Sequence, residues 1–312
     1  MIRGTQMRLD GGWKIKLPRG YAAGAGERGL GCLLLLLVIL LPLAWIIAYA
    51  CICSLGNFGL HGSRWTLDHW TLALSGSRVW RSLLLSSTLA VASTLLAWQS
   101  AVWLVSRRGG LRRDRWLQAM WCLPLATPPV VQAFLANLFL NRGGLLSRVC
   151  WWLGLTSDVT DFPVLVQDRF SIGLLLTMTA ASIPLLLLFL IRIWSVARID
   201  DYLLTARALG ASPEFALRKV AVPMLRRRSR SVVLLLLIWN FSVWELPLLL
   251  GRQSPRMFSV LIQQSAGQFV LDERPQAFVC VLLYLILAAI AVWGLSAVAG
   301  NFGRRFEESD HD

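Results

Sequence analysis

An acidic and an amide side chain interrupt the apolar run "SVVLLLLIWNFSVWELPLLLG" at residues 231–251. A carboxylate at membrane depth is costly, so Glu245 should face the interior of a helix bundle or an aqueous cavity. Counted from the basic cluster that precedes the run, Glu245 lies about 15 residues, roughly 22 Å, along a helix, in the outer half of the membrane. Glu245 and Asn240 therefore either line a substrate pathway or gate, or form structural bonds between helices.

A second set of polar side chains accompanies prolines in "CLPLATPPVVQAFLAN", residues 122–137. Proline removes a backbone donor and disturbs the preceding turn. Membranes tolerate this where neighbouring helices or water satisfy the freed carbonyl groups. We expect a bent helix here, which is either simply kinked within the bundle or lines a pathway with Thr127, Gln132 and Asn137.

The remaining reactive side chains give little support to an intramembrane hydrolase or lipid transferase. The chain has three histidines, His61, His69 and His311, and none lies in a long apolar run. A Ser–His dyad or a His-based metal centre needs an imidazole at the reacting group. The six cysteines have neither a disulfide framework nor a zinc spacing, and no G-x-x-x-x-G-K-[ST] phosphate loop is present. We expect no catalytic residue, metal ligand or bound cofactor in this chain.

Long apolar helices must hold these polar positions within a membrane. The chain of 312 residues is 56% hydrophobic and 15% charged, whereas soluble domains average about 25% charged residues. A bilayer core needs about 20 apolar residues per helix. Six stretches approach that length, at about 30–52, 83–105, 116–140, 171–197, 231–250 and 277–300. The sequence predicts an all-α integral membrane protein with about six transmembrane helices.

The net charge of +14 is unevenly distributed between the connections. Of the 31 Lys and Arg residues, 22 lie before the first span, in the second and fourth connections and in the tail, and nine lie in the other three connections. Lys and Arg favour cytoplasmic connections, so both termini are predicted to be cytoplasmic. The basic residues are not joined to a recognisable nucleic-acid-binding module, and we expect no nucleic-acid partner.

This pattern predicts one membrane domain without a separate soluble domain. Residues 1–29 form a cytoplasmic N-terminal segment, residues 30–300 the transmembrane domain, and residues 301–312 a cytoplasmic tail.

The fourth connection contains a predicted helical hairpin at about residues 200–223. Its first part, "DDYLLTARAL", has good helix formers with carboxylates at the start, where they complement the helix dipole. Gly210 can end this helix in the left-handed conformation. Ser212 is a suitable N-cap and Pro213 suits the first position of a second helix, which we expect to end at Pro223. From composition alone, the hairpin is either a rigid projection or an interfacial helix pair on anionic lipid.

The hairpin resembles the cytoplasmic signature of permease subunits of binding-protein-dependent type I ABC importers. That signature is E-A-A, three residues, Gly, nine residues, then aliphatic, any residue, aliphatic and Pro. Gly210 occupies the glycine position, and Val220, Ala221, Val222 and Pro223 close the pattern in register. The resemblance extends over about 80–300. The positions of Glu and the first Ala hold Leu204 and Thr205, followed by Ala206. The contact that the Glu usually makes is therefore not expected in the same form, and Arg207 and Asp201 are candidates to substitute for it.

The resemblance implies that the hairpin couples this chain to a motor. In such importers it docks into a groove of a separate ATPase subunit, which binds ATP and Mg, and an ATPase dimer moves two permease subunits. The implied partners are that ATPase dimer, a second permease subunit (identical or sister), an extracytoplasmic solute-binding protein and membrane lipid, in the bacterial inner membrane. The implied coupling residues are Leu204, Thr205, Ala206, Arg207, Gly210, Ala211, Val220 and Pro223.

Two other functions remain open from the sequence: a secondary transporter driven by an ion gradient, and a structural membrane scaffold. The stretch "WNFSVWELPLLLG" is similar in style to permeases for polyamines, ferric iron, thiamine, sulfate and other small solutes.

Overall fold

A computed structural model describes residues 25–56, 65–107, 109, 114–158, 161–267 and 274–307. Most of the predicted N-terminal segment, residues 1–24, lies outside these ranges, as do His61 and residues 308–312 of the predicted tail. Within these ranges all regular secondary structure is helical, in agreement with the predicted fold class.

The helices follow one another with short connections. In chain order they are α1 (Ala25–Ser54), α2 (Asp68–Ser75), α3 (Ser77–Arg107), α4 (Arg115–Ala126), α5 (Pro129–Leu140), α6 (Leu145–Trp152), α7 (Ile172–Val196), α8 (Ile199–Ala208), α9 (Pro213–Ala216), a π-helical turn (Leu217–Ala221), α10 (Val222–Arg228), α11 (Arg230–Ser242), α12 (Glu245–Leu250), α13 (Phe258–Ala266) and α14 (Arg274–Glu307).

Residues 1–49 and residues 50–312 form two compact units. The described part of the first unit consists of helix α1, whose last residues belong to the second. This helix has 30 residues and contains Pro42. Its apolar part, Leu36–Ser54, is long enough to cross a membrane, which agrees with the predicted first span.

Helices α3 and α7 pack together at the centre of the second unit. On α3, the small residues Ala97 and Ala101 are completely buried, and they belong to one apolar cluster with Leu187 and Leu190 of α7. Small residues at such an interface allow two helix backbones to approach closely. Helices α4, α11, α12 and α13 each pack against one or both of these two helices.

Three helices of the described chain are long and apolar enough to cross a membrane alone: α1, α3 and α7. Helices α4 and α5 add a fourth if a bent pair counts as one span. The predicted fifth stretch forms α11 and α12, and α11 has only 13 residues. The predicted sixth stretch lies within α14, whose described apolar part is Pro275–Ile290. The structure thus supports three or four spans, and the count of six stays a prediction.

Two of the predicted spans are broken. The chain turns by 98° between α4 and the helical segment that starts at Pro129. In the fifth stretch, α11 ends at Ser242 and α12 begins at Glu245. Both breaks lie next to prolines, which cannot donate to the carbonyl group four residues earlier. The stretches 116–140 and 231–250 are therefore each two helices and not one continuous helix.

Candidate functional site

The hairpin turns at Gly210, as the sequence predicts. Gly210 has a φ of 90°, in the left-handed region where glycine avoids the strain that a side chain would cause. Its N–H donates to the carbonyl of Arg207 at 2.9 Å, and the N–H of Ala211 donates to the carbonyl of Ala206 at 3.0 Å. This pair of bonds is the Schellman arrangement, which satisfies the last carbonyl groups of α8. The turn therefore has a defined geometry.

The second helix of the hairpin starts at the predicted cap. The hydroxyl oxygen of Ser212 accepts a hydrogen bond from the backbone N–H of Phe215 at 3.3 Å, and Pro213 is at the first helical position. The following carboxylate, Glu214, lies 3.3 Å from the guanidinium of Arg218 and 3.7 Å from that of Arg107. Arg107 ends α3, so this ion pair joins the hairpin to α3.

The second helix does not end at Pro223, and that prediction is wrong. After α9 the chain makes a π-helical turn, Leu217–Ala221, and continues as α10 to Arg228. Pro223 cannot donate to the carbonyl of Lys219. A π-helical turn, with bonds from residue i to i+5, changes the bonding pattern just ahead of the proline and lets the helix go on.

One face of the hairpin is anchored in the core of the second unit. This face packs in the same apolar cluster as Val105 of α3 and Trp194 of α7. Its buried side chains are Ile199, Leu203, Ala216, Ala221 and Leu225. Five buried side chains therefore fix this face of the hairpin against α3 and α7, and the choice between a projection and an interfacial helix pair stays a prediction.

The opposite face of the hairpin exposes large apolar side chains. Leu209 is 84% exposed at the turn, Leu204 62%, Phe215 57% and Tyr202 54%. Several such side chains on a segment of charged and polar residues are typical of a surface that contacts another molecule.

The predicted coupling residues fall into two groups in the structure. Leu204, Thr205, Arg207, Gly210 and Pro223 are exposed. The smaller apolar residues are half-buried against the core cluster: Ala206, Ala211 and Val220.

A cavity of about 470 Å³ lies where the two broken spans meet. The junction between α4 and α5 lines one side of it, α7 another, and α11 with the start of α12 a third. Its polar lining consists of Thr127, Gln132, Ser182 and Asn240, and none of the described residues that line it is charged. Broken helices in membrane proteins often surround such cavities, because irregular backbone is tolerated there.

The polar groups of the first break satisfy the carbonyl group that proline leaves free. Pro128 cannot donate to the carbonyl of Pro124. That oxygen instead accepts from the hydroxyl of Thr127 at 2.7 Å and from Nε2 of Gln132 at 2.8 Å. Both side chains thus stabilise the bend as well as line the cavity.

The second break uses a residue distant in sequence. Pro247 cannot donate to the carbonyl of Val243. The hydroxyl of Ser259 in α13 donates to that oxygen at 2.8 Å. A side chain from another helix therefore stabilises the interruption.

Asn240 joins three helices. It is 3% exposed, and its Nδ2 lies 3.0 Å from the hydroxyl of Thr94, 3.2 Å from that of Ser182 and 3.4 Å from that of Ser93. These bonds link α11 to α3 and α7, as the structural alternative requires. Asn240 also lines the cavity, and its role in a substrate pathway stays a prediction.

Glu245 and Asn137 do not line this cavity. Glu245 is half-buried at the start of α12, and its carboxylate accepts from the backbone N–H of Trp244 at 3.3 Å. Asn137 lines a separate opening of about 390 Å³ with Asn141 and Arg148. The structure thus brings together three of the five predicted pathway residues, namely Thr127, Gln132 and Asn240.

The hydroxyl partners Ser93, Thr94, Ser182 and Ser259 were not predicted from the sequence. Isolated hydroxyl residues are common in membrane helices, where they bond to their own backbone, so they give little signal. Within the described ranges, no group of three or more His, Cys, Asp or Glu residues could hold a metal ion.

The long apolar helices and the proline-broken segments around an uncharged cavity define a multi-pass helical membrane protein. No known family model matches the chain. It is similar to the provisionally assigned 2-aminoethylphosphonate transport system permease protein PhnV of Salmonella typhi, with 30% identity over 211 residues, 67% of this chain and 70% of that protein. The PhnV protein of Salmonella typhimurium matches equally, over 69% of its length.

The inner membrane ABC transporter permease protein YnjC of Escherichia coli is 27% identical over 230 residues, which cover 72% of this chain and 42% of that protein. The chain therefore belongs to the ABC transporter permease proteins. It is a multi-pass inner membrane protein and a membrane permease subunit of an ABC transporter.

Proposed function

We propose that this chain forms half of the translocation pathway of an ATP-driven importer of a small solute. The observation that carries the proposal is the two-sided hairpin, with one face fixed in the core of the second unit and the other exposing large apolar side chains. The excess of Lys and Arg in alternate connections predicts that the hairpin lies on the cytoplasmic side of the membrane. The same distribution predicts that both termini are cytoplasmic. The family favours this function over transport driven by an ion gradient.

The exposed face of the hairpin is the proposed contact with the ATPase subunit, which binds ATP and Mg. Leu204 stands where the importer signature has Glu, and it is largely exposed. Together with Leu209 and Phe215 it makes this contact apolar, so burial of apolar surface replaces the charged contact. Arg207 is exposed on the same helix and can add a polar contact at the rim.

The cavity at the two breaks is the proposed part of the solute pathway within this subunit. Its lining of amides, hydroxyls and apolar groups offers no strong charge to hold a solute, which suits passage more than tight binding. Solute selection is then the task of an extracytoplasmic binding protein, and a second permease subunit, identical or sister, completes the pathway.

A small organophosphonate is the first solute to test, since the relatives from Salmonella are named for 2-aminoethylphosphonate transport. Polyamines, ferric iron, thiamine and sulfate, expected from the sequence style, come after it.

Co-purification of the ATPase subunit tests the proposal. Phe215→Asp places a charge in the apolar contact, and we expect the variant to lose the ATPase and solute uptake while the permease remains in the membrane. Phe170→Asp is the matched control, because Phe170 is 77% exposed at the opposite end of α7 and should retain the ATPase. Normal ATPase recovery with Phe215→Asp would remove the hairpin from this role.

A further inference from the structure

A cleft of about 220 Å³ lies between the end of α3 and the second half of the hairpin. The proposed pathway does not use it. Its walls combine apolar and cationic groups, five from each side: Gln99, Val102, Trp103, Ser106 and Arg107 of α3, and Glu214, Leu217, Arg218, Val222 and Arg226 of the hairpin.

The cleft carries excess positive charge. Three guanidinium groups line it, from Arg107, Arg218 and Arg226, and Glu214 is the one carboxylate among its lining residues. Glu214 pairs with Arg107 and Arg218, whereas Arg226 donates to the neutral amide oxygen of Gln99 at 2.7 Å. The cleft therefore has a net charge of about +2, with the guanidinium of Arg226 held in place but not neutralised.

One exposed face of α3 leads from the apolar region into this cleft. Leu95, Gln99, Trp103 and Arg107 are each four residues apart, so they lie on one face of the helix. Leu95 is 47% and Trp103 51% exposed. Along this face the side chains change from apolar (Leu95) through amide and indole to guanidinium (Arg107). This order matches the change from acyl chains to lipid headgroups across the membrane interface, where Trp is enriched.

We propose that this cleft binds the phosphodiester headgroup of an anionic phospholipid of the cytoplasmic leaflet, with an acyl chain along Leu95 and Trp103. Guanidinium groups bind phosphate oxygens through paired, charge-assisted hydrogen bonds. The phosphate of the bound headgroup neutralises positive charge that Glu214 alone does not balance. It also links α3 to the hairpin, because guanidinium groups of both contact it. The inference rests on the proposed cytoplasmic position of the hairpin.

The exposed apolar face favours a lipid over a free phosphate ion. A soluble anion would use the guanidinium groups but would gain nothing from Leu95 and Trp103. A segment of the ATPase subunit is the other candidate occupant, and the experiment separates these three.

The test uses native mass spectrometry of the purified permease complex titrated with phosphatidylglycerol. Arg226→Gln and Arg218→Gln should each weaken lipid binding about tenfold, because each removes charge-assisted hydrogen bonds to the phosphate. Lys219→Gln and Arg228→Gln are matched controls, because both residues are exposed in the same segment but do not line the cleft. Both controls should bind phosphatidylglycerol as the unaltered chain does.

Glu214→Gln gives the sharpest result because the lipid model and a purely structural ion pair predict opposite signs. Removal of the competing carboxylate frees Arg107 and Arg218, so phosphatidylglycerol should bind more tightly. If Glu214 only ties the hairpin to α3, the same variant loosens the cleft and binding weakens or stays unchanged, which overturns the proposal.

Two further measurements identify the occupant. Equal binding of phosphatidylcholine, or displacement of the lipid by millimolar inorganic phosphate, would overturn the assignment to an anionic lipid. Lipid binding to the isolated permease that is lost when the ATPase assembles would assign the cleft to the ATPase. We expect Arg226→Gln to lose lipid binding but to retain the ATPase. That result would separate lipid binding in the cleft from the proposed coupling role of the hairpin.

Discussion

The hairpin and the cavity each contain an interrupted helix, but different groups satisfy the free carbonyl groups at the two places. At the hairpin, the bonds that close the turn join residues at most five positions apart, from Ala206 to Ala211. At the cavity, the interrupted backbone is completed by side chains, and one of them, Ser259, comes from another helix. A turn in contact with water can use local backbone bonds, whereas a break at membrane depth must recruit polar side chains because water is scarce there.

The largest effect should come from removing both polar groups of the first break. Thr127→Val with Gln132→Leu removes both side-chain donors to the carbonyl of Pro124 and leaves it only the backbone N–H of Thr127 at 3.4 Å, which should cost about 2 kcal/mol. Each single variant leaves one partner in place and should cost much less, so the pair is not additive. Thermal unfolding of the solubilised complex measures both, with Asn137→Leu as the control on the same helix. If the losses of stability in the two single variants are small and add up to that of the double variant, water hydrates the carbonyl of Pro124 in the unaltered protein.

A smaller effect is expected at the turn of the hairpin. Gly210→Ala meets no neighbouring atom within 4 Å, so its cost comes from the left-handed backbone alone. That strain amounts to about 1 kcal/mol. Gly143→Ala is the control, because Gly143 also has open space but no left-handed φ. Equal melting temperatures for the two variants would show that the turn relaxes.

The smallest effect is expected at Glu245, which lies outside the cavity. Glu245→Gln should leave solute uptake unchanged at equal protein abundance. Asn240→Leu in the same stretch should reduce stability by about 1 kcal/mol, the typical worth of polar bonding between membrane helices. Uptake that falls with Glu245→Gln while stability is kept would restore the carboxylate to the pathway.

The sequence predicts the hairpin well because its signals are local. Gly210, Ser212 and Pro213 each act within a few residues, and the structure places each of them as expected. The continuation past Pro223 was not predictable, since a π-helical turn has no clear sequence signal.

The cavity could be predicted only in part. Prolines indicate where a helix bends, and Thr127 and Gln132 stand close enough in sequence to be suspected. The bonds of Asn240 to Thr94 and of Ser259 to Val243 depend on how distant helices pack. Glu245 was singled out because a carboxylate in an apolar run is conspicuous, but the helix is interrupted just before it, at Val243 and Trp244.

Helix α3 connects the two regions without interruption. It runs for 31 residues from Ser77 to Arg107 and contains no proline. Its last turn meets Glu214 of the hairpin, and Thr94, about 20 Å away along the axis, holds Asn240 at the cavity wall. Because this helix is continuous and contains no proline, a displacement of the hairpin would be passed along a stiff element to the cavity wall.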